Sequence, residues 1–384
     1  MKSAQSKRLI PLAMVGGGEG AFIGAIHRMA VRLTDEFDLV AGAFSSDGER
    51  GARSAASIGV APDRSYADYS LMAAAESARP DGARAVAIVA PNDVHYDAAR
   101  AFLDHGFHIL CEKPLALNCA QAADLVDRVR RSNRVFGVAH TYVGYAMVRR
   151  ARETVSAGSI GAVRMVQVEY PQSWLSTDVE HDGNKQAAWR TDPARNGSGG
   201  ALGDIGTHAF HLAEFVSGLR CEELAADLSS FVPGRTLDDD ARMLLRFKGG
   251  AAGMLWASQV AVGCANALRL RVFGETGSIE WGHEHPNELV LSTRGQPTQM
   301  LVRGADGVGS GFTTLPAGHP EGYIEAFAQL YSDFVALIRQ HDNVEDRAPG
   351  ESLLPTVEDG LRGIEFIAAA IRSHTGGGAW TKIN

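Results

Sequence analysis

IPLAMVGGGEGAFIG, residues 10–24, decides the fold. A short apolar run, Ile10 to Val15, meets three consecutive glycines, and these lead into AFIGAIHRMAVRL, whose apolar positions recur at helical spacing. A strand that turns through glycine into a helix opens a βαβ unit. Within the turn, Gly16-x-Gly18-x-x-Ala21 satisfies GxGxxG/A, where small residues let backbone N–H groups reach a pyrophosphate at the helix N-terminus. Gly20 and Gly24 make the turn longer than its minimal form. Gly16, Gly18 and Gly20, with Phe22 and Ile23 starting the helix, are the expected dinucleotide contacts here.

Outward from this turn, strand and helix patterns alternate. FDLVAGAFS, AVAIVA, HILCE and VFGVAHTY read as four further strands, separated by helical stretches such as HYDAARAFLDHG and NCAQAADLVDRVRRS. Alternation of this kind implies right-handed crossovers and a doubly wound parallel sheet covered on both faces. The second strand ends in Phe44-Ser45-Ser46-Asp47, followed by Arg50 and Arg53. Ser45, Ser46 and Arg50 suit a 2′-phosphate, whereas Asp47 suits a ribose hydroxyl, so NAD is expected with NADP as the alternative. APNDVH and CEKP lie at the carboxyl ends of the next strands, where ligands bind in this architecture, which makes Pro91, Asn92, His95, Glu112 and Lys113 further cofactor candidates. A partly desolvated lysine beside a cationic ring releases its proton more readily, so Lys113 is also a candidate general base.

The bulk properties narrow the class. A chain of 384 residues exceeds one ordinary core, and the expected division is 1–150 and 151–384, with the last helix able to pack back on the first domain. Hydrophobic content of 45% with 21% charged residues is globular, and a formal net charge of −8 excludes a counterion-displacing nucleic-acid binder. Four cysteines without a CxxC pair read as reduced thiols. MKSAQSKRLIPLAMVGGG has a basic start, but its apolar run is short and ends in glycine, which makes it a buried strand rather than a signal peptide. No stretch approaches the roughly 20 apolar residues of a membrane span. A cytoplasmic protein without membrane partners is expected.

The second half carries GALGDIGTHAFH, residues 200–211. Asp204, His208 and His211 lie at spacings that share one helical face. They read as an acid/base pair, as a metal trio, or as a capping aspartate with a core histidine. The acid/base reading is preferred because Lys113 and a cofactor fold independently call for a proton-handling partner, and no metal is expected since nicotinamide chemistry needs none. AVRMVQVEYPQSW alternates like a strand, and LLRFKGGAAGMLWASQVA and LRLRVFGETGSIEWG read as hairpins. Residues 173–200 are polar and punctuated, a site-lining loop in which Trp174, His181, Trp189 and Arg190 stand out. Tyr142, Trp174, Trp189, Arg190 and His208 are the substrate candidates. The helix start at His319, Glu321 and Tyr323 reads as ordinary capping, and Asp238–Asp240 as charges that blunt an exposed hairpin.

GGGEGAFIGAIH, APNDVH, CEKPLA and GGALGDIGTHAFH, in this order and at these separations, resemble the Gfo/Idh/MocA oxidoreductases over nearly the whole chain. The resemblance implies an N-terminal Rossmann domain and a C-terminal α/β domain with a large, mostly antiparallel open sheet, used for homodimer or homotetramer assembly. It implies hydride transfer between NAD(P) and a secondary carbinol of a sugar or a cyclitol such as inositol. By position, it makes Lys113, Asp204 and His208 the catalytic residues. The longer glycine turn and the missing aspartate at the end of the second strand depart from the family pattern. The alternatives are a glycosidase using NAD for transient ring oxidation, a cofactor-sensing regulator without catalysis, and a metal hydrolase at Asp204, His208 and His211.

Overall fold

A computed structural model describes residues 9–342 and 352–384; the basic residues 1–8 at the start of the chain lie outside them. Two compact units emerge, and both draw on distant parts of the chain. The first takes the residues up to Leu115, then Ala120–Ala139 and Phe327–Gly360; the second takes Ala116–Cys119, His140–Ala326 and Leu361–Asn384.

In the first unit the elements alternate: β1 (Ile10–Gly16), α1 (Phe22–Thr34), β2 (Phe37–Ala43), α2 (Gly48–Ile58), α3 (Tyr69–Ala78), β3 (Ala85–Val89), α4 (Asn92–Asp104), β4 (His108–Cys111), α5 (Cys119–Ser132) and β5 (Phe136–Val138). The strands form one parallel sheet in the order β2-β1-β3-β4-β5. All five residues of β3 are buried, as a strand covered on both faces requires. Asp47 caps α2 by accepting the Arg50 N–H at 2.8 Å, and Gly59 ends that helix in the left-handed region at φ 88°. The helix Tyr323–His341, numbered α10 in chain order, contributes Tyr331, Phe334 and Ile338 to this unit's core. Phe334 stacks on Phe37 of β2 at 6.0 Å.

The second unit is built on α6 (Ala146–Ser156), β6 (Val163–Pro171), α7 (Lys185–Arg190), α8 (Pro193–Asn196), α9 (Thr207–Ser217), β7 (Cys221–Ser229), β8 (Asp240–Phe247), β9 (Ala252–Ser258), β10 (Arg269–Gly274), β11 (Gly277–Gly282), β12 (Glu288–Thr293), β13 (Gln299–Val302), α11 (Val357–Thr375) and β14 (Thr381–Lys382). Its nine-stranded sheet runs β13-β12-β11-β10-β6-β9-β8-β7-β14, antiparallel except for the β6–β9 pair. Both expected hairpins are present, β8–β9 turning at Gly249-Gly250 and β10–β11 at Gly274–Gly277. One face buries Val166, Val168, Leu245, Leu255 and Leu270, and α6 and α9 pack in this unit. From Leu361 on, α11 packs beside α9, with Phe366 stacked on Phe210 at 4.2 Å. The other face leaves Met165, Leu244 and Met254 about half exposed. None of the described helices is long and apolar enough to cross a membrane.

Two expectations change. Residues 173–200 are not one loop, because Asn184 and Asp192 cap the short helices α7 and α8 within it. Asp238–Asp240 do not blunt a surface hairpin; Asp238 is half-buried, Asp239 and Asp240 are buried, and all three are acceptors. Asp238 receives the N–H groups of Gly200 and Leu202, Asp239 those of Phe231 and Val232, and Asp240 the Trp256 indole. Runs of aspartate usually meet water, but unpaired backbone N–H groups inside a fold need acceptors even more.

Candidate active site

In the first unit the carboxyl ends of the strands carry the cofactor candidates. Gly16, Gly17 and Gly20 all have φ near +70° to +80°, so the chain leaves β1 through left-handed backbone before α1 begins. Ala21, at the N-cap of α1, supplies no side-chain acceptor, which leaves the first amides of that helix for an anion. This fits a pyrophosphate. Gly18 has a second reason to be glycine: a Cβ there would stand 2.6 Å from the Phe44 carbonyl and 2.8 Å from Ser54 Oγ. Phe22 is exposed and Ile23 half-buried at the helix start.

At the end of β2, Ser45 Oγ accepts from Arg50 Nε at 2.9 Å and from the Asp47 N–H at 3.1 Å, with Ser46 exposed beside them. The Asp47 carboxylate serves α2, and that backbone bond to Arg50 holds it below the usual carboxylate range. Serine and arginine are thus brought together where an adenosine ribose binds in such sheets.

Pro91 and Asn92 open α4, and Asn92 is buried. His95 is fully buried, its Nδ1 2.8 Å from the Pro114 carbonyl and its Nε2 2.9 Å from the Ala90 carbonyl. It therefore joins the APNDVH and EKP segments rather than offering a free ring nitrogen. Glu112 is buried too. Burial raises its carboxyl, but the His27 hydrogen bond and the neighbouring charges of His27, Lys113 and His95 bring it below the usual range. Lys113 follows, half-buried, with its backbone N–H 3.2 Å from Glu112 Oε2.

In the second unit, Asp204 lies in a π-helical turn, Leu202–Gly206, that runs straight into α9. Such turns re-aim side chains and recur at functional sites. Asp204 Oδ2 accepts from Gln259 Nε2 at 2.9 Å and pairs with Arg190 Nε at 3.3 Å. Arg190 also lies 4.2 Å from the Trp189 ring centroid and 5.8 Å from that of Trp174. Trp174, Trp189, Arg190 and Asp204 thus come together. His181 does not join them; it pairs with Asp178 at 2.6 Å on the surface.

His208 is nearly buried, edge-on to Tyr142 at 5.0 Å and to His140 at 5.5 Å. The Tyr142 and Tyr170 hydroxyls are hydrogen-bonded to each other, and Asn266 Nδ2 approaches both Tyr142 Oη and His283 Nδ1. Burial raises the Tyr142 phenol to about 12 and also lifts the Tyr170 phenol, so both keep their protons at neutral pH. His211 joins the same cluster of rings through His140, on which it stacks at 4.2 Å. Glu321 takes the N–H groups of Thr314 and Leu315 at 2.6 Å, a role in holding the chain before α10.

Sequence reasoning missed His140, Tyr170, Gln259, Asn266 and His283, together with Gln172, which bonds Asn266 and the Trp174 indole. Each sits near one end of a strand, where polarity alone carries no signal. Ligand-type side chains also gather elsewhere among the described residues: donor atoms of His108, His341 and Asp342 lie within 4.8 Å of one another. His108 Nδ1 accepts the Val135 N–H at 3.1 Å, and burial lowers this imidazole to about 4. Its neutral ring therefore carries hydrogen on Nε2, which leaves no lone pair for a metal.

Residues 10–140 match the model of an oxidoreductase family with an NAD-binding Rossmann fold, and residues 148–280 match the GFO/IDH/MocA C-terminal domain. An uncharacterised oxidoreductase, YfiI of Bacillus subtilis, is 35% identical over 96% of each chain. An inositol dehydrogenase homologue from Azotobacter vinelandii, solved with NADH and myo-inositol, is 36% identical at a TM-score of 0.91, covering 98% of each chain. Levoglucosan dehydrogenase of Pseudarthrobacter phenanthrenivorans is 29% identical over 78% of this chain and 79% of its own.

Proposed function

The chain belongs to the Gfo/Idh/MocA oxidoreductases, and from that premise we propose that it is an NAD(P)-dependent dehydrogenase of a cyclitol or sugar carbinol. The observation that carries the substrate class is the lining around His208. Tyr142, Tyr170 and Asn266 offer hydroxyl and amide groups beside aromatic faces, the mixture that receives the alternating C–H and O–H groups of a polyol. The likeness to a homologue solved with myo-inositol supports a cyclitol first.

In this reading Gly16, Gly18, Gly20 and the first amides of α1 hold the pyrophosphate. Ser45, Ser46 and Arg50 meet the adenosine ribose, and Pro91, Asn92 and Lys113 face the nicotinamide half. Bound NAD supplies the hydride acceptor. Either Lys113 or His208 takes the hydroxyl proton, and Asp204, fixed by Gln259 and Arg190, orients the reacting alcohol or its base. Trp174, Trp189 and Arg190 bind the remainder of the substrate.

A panel of inositols and sugars with NAD and NADP, followed by absorbance of the reduced cofactor, tests the reading. No turnover with any polyol, or cleavage of a glycoside without net reduced cofactor, refutes it. The half-exposed Met165, Leu244 and Met254 support assembly as a homodimer or homotetramer through the open sheet face. Light scattering on Met254→Lys checks this by the loss of the larger species.

A further inference from the structure

We propose that Tyr331 and His27 are positioning residues for Lys113, acting through the buried carboxylate of Glu112. The inference rests on the role given to Lys113 above and deepens it. Three parts of the first unit meet here: α10 brings Tyr331, α1 brings His27, and the segment after β4 brings Glu112 and Lys113. Tyr331 Oη lies 2.8 Å from His27 Nδ1, and His27 Nε2 lies 2.9 Å from Glu112 Oε1. Glu112 Oε2 in turn accepts the Lys113 backbone N–H at 3.2 Å. Tyr331 and His27 are fully buried, and Glu112 is 7% exposed.

The direction of the chain follows from proton inventory. Burial, together with the Glu112 charge, raises the Tyr331 phenol far above neutral pH, so its O–H is a donor. The Glu112 carboxylate can only accept, so His27 Nε2 carries the proton in that bond while Nδ1 faces the Tyr331 hydroxyl. The carboxylate therefore has one oxygen for His27 and one for the Lys113 backbone. The Pro114 carbonyl is held from the other side by His95 Nδ1 at 2.8 Å. The Lys113 backbone is thus anchored on both flanks, and the swing of its ammonium starts from a fixed Cα. A buried carboxylate that lost its imidazole donor would take up a proton or turn toward water, and either change releases the Lys113 N–H.

His27 also belongs to the helix whose N-terminal amides meet the proposed pyrophosphate. One element therefore serves both the cofactor and the lysine, a link that an ordinary core histidine does not have. A mere packing role predicts that shape alone matters at position 27. A positioning role predicts that hydrogen bonding matters.

His27→Leu, His27→Gln, Tyr331→Phe and Lys113→Ala distinguish the two, assayed for turnover and KM with the best polyol. Amide hydrogen exchange over residues 108–116 of the cofactor-free protein gives a second readout. In His27→Leu, kcat should fall about tenfold or more with KM and NAD affinity within about threefold, and exchange near Lys113 should quicken. His27→Gln, which can still donate and accept, should recover to within about threefold of wild type. Tyr331→Phe, lacking one hydroxyl, should show a smaller loss of the same kind and decides the matter should His27→Leu not fold. Unchanged kcat and exchange in these variants, or a glutamine variant as impaired as the leucine one, overturns the proposal. Wild-type turnover in Lys113→Ala would instead overturn the role of Lys113 itself, while the exchange experiment still judges the anchoring.

Discussion

The Asp238 carboxylate accepts the Gly200 N–H at 2.7 Å across thirty-eight residues of chain, and its second oxygen accepts the Leu202 N–H at the same distance. The backbone that leads into Asp204 and His208 is thereby pinned to the start of β8 (Asp240–Phe247). A Cβ at Gly200 would stand only 2.0 Å from the Asp238 carbonyl, so the contact also requires glycine.

This contact predicts a pH effect on stability. Burial raises the Asp238 carboxyl from 3.8 to about 6, the two backbone bonds pulling the other way. An acid that holds its proton more tightly when folded stabilises the fold below its unfolded value, and that contribution is lost as pH rises through the folded one. Wild type should therefore lose stability relative to Asp238→Asn between about pH 4 and pH 6, with a level difference above. Urea unfolding across that range checks it. The variant's own loss of an acceptor, about 1–3 kcal/mol, should be independent of pH.

Lys113→Ala and His208→Ala should fold normally and bind cofactor, yet lose about a hundredfold or more in turnover, the scale for a positioned proton acceptor. Asp204→Asn should lose less if it orients rather than transfers. Chelators should leave all of them unchanged; activity abolished by chelation and restored by a metal ion would contradict the mechanism.

Gln259→Leu should reveal a residue that no motif signals. Gln259 is almost fully buried and donates to Asp204 at 2.9 Å. Without it the aspartate loses the donor that fixes its Oδ2 beside Arg190, and kcat should fall about tenfold while cofactor affinity stays the same. Equal loss of cofactor binding would point to general unfolding instead.

Ser45→Asp should shift the cofactor preference away from NADP by charge repulsion with the 2′-phosphate, measured as the ratio of kcat/KM for the two cofactors. Gly18→Val is a poorer probe of the turn than its motif implies. The collision with Phe44 and Ser54 would disturb β2 and α2 whether or not pyrophosphate binds.

Phe366→Ala should cost about 3–5 kcal/mol, because it removes a fully buried ring stacked on Phe210. Thermal unfolding with cofactor affinity retained is the expected combination.

The first sheet was legible because local pattern and fold agree there. Apolar strands, a glycine turn and helical periodicity are short-range signals, and β1 to β5 follow from them in sequence. The EKP and DxGxH elements were legible as motifs for the same reason: their chemistry lies within a few consecutive residues. By contrast, nothing near Asp238–Asp240 tells whether three carboxylates meet water or amides, and the structure turns them inward. That His27, bonded to Tyr331, shares the Glu112 carboxylate with the Lys113 N–H, or that Gln259 reaches Asp204, depends on contacts between residues as much as 304 positions apart. The sequence by itself determined the element types and the glycine turn between β1 and α1, and it singled out Lys113, Asp204 and His208 as proton-handling candidates, because these depend on neighbours along the chain. Tertiary structure alone decided which buried polar groups satisfy one another and that α10 completes the first unit's core, because desolvated hydrogen bonds choose their partners in space rather than in order.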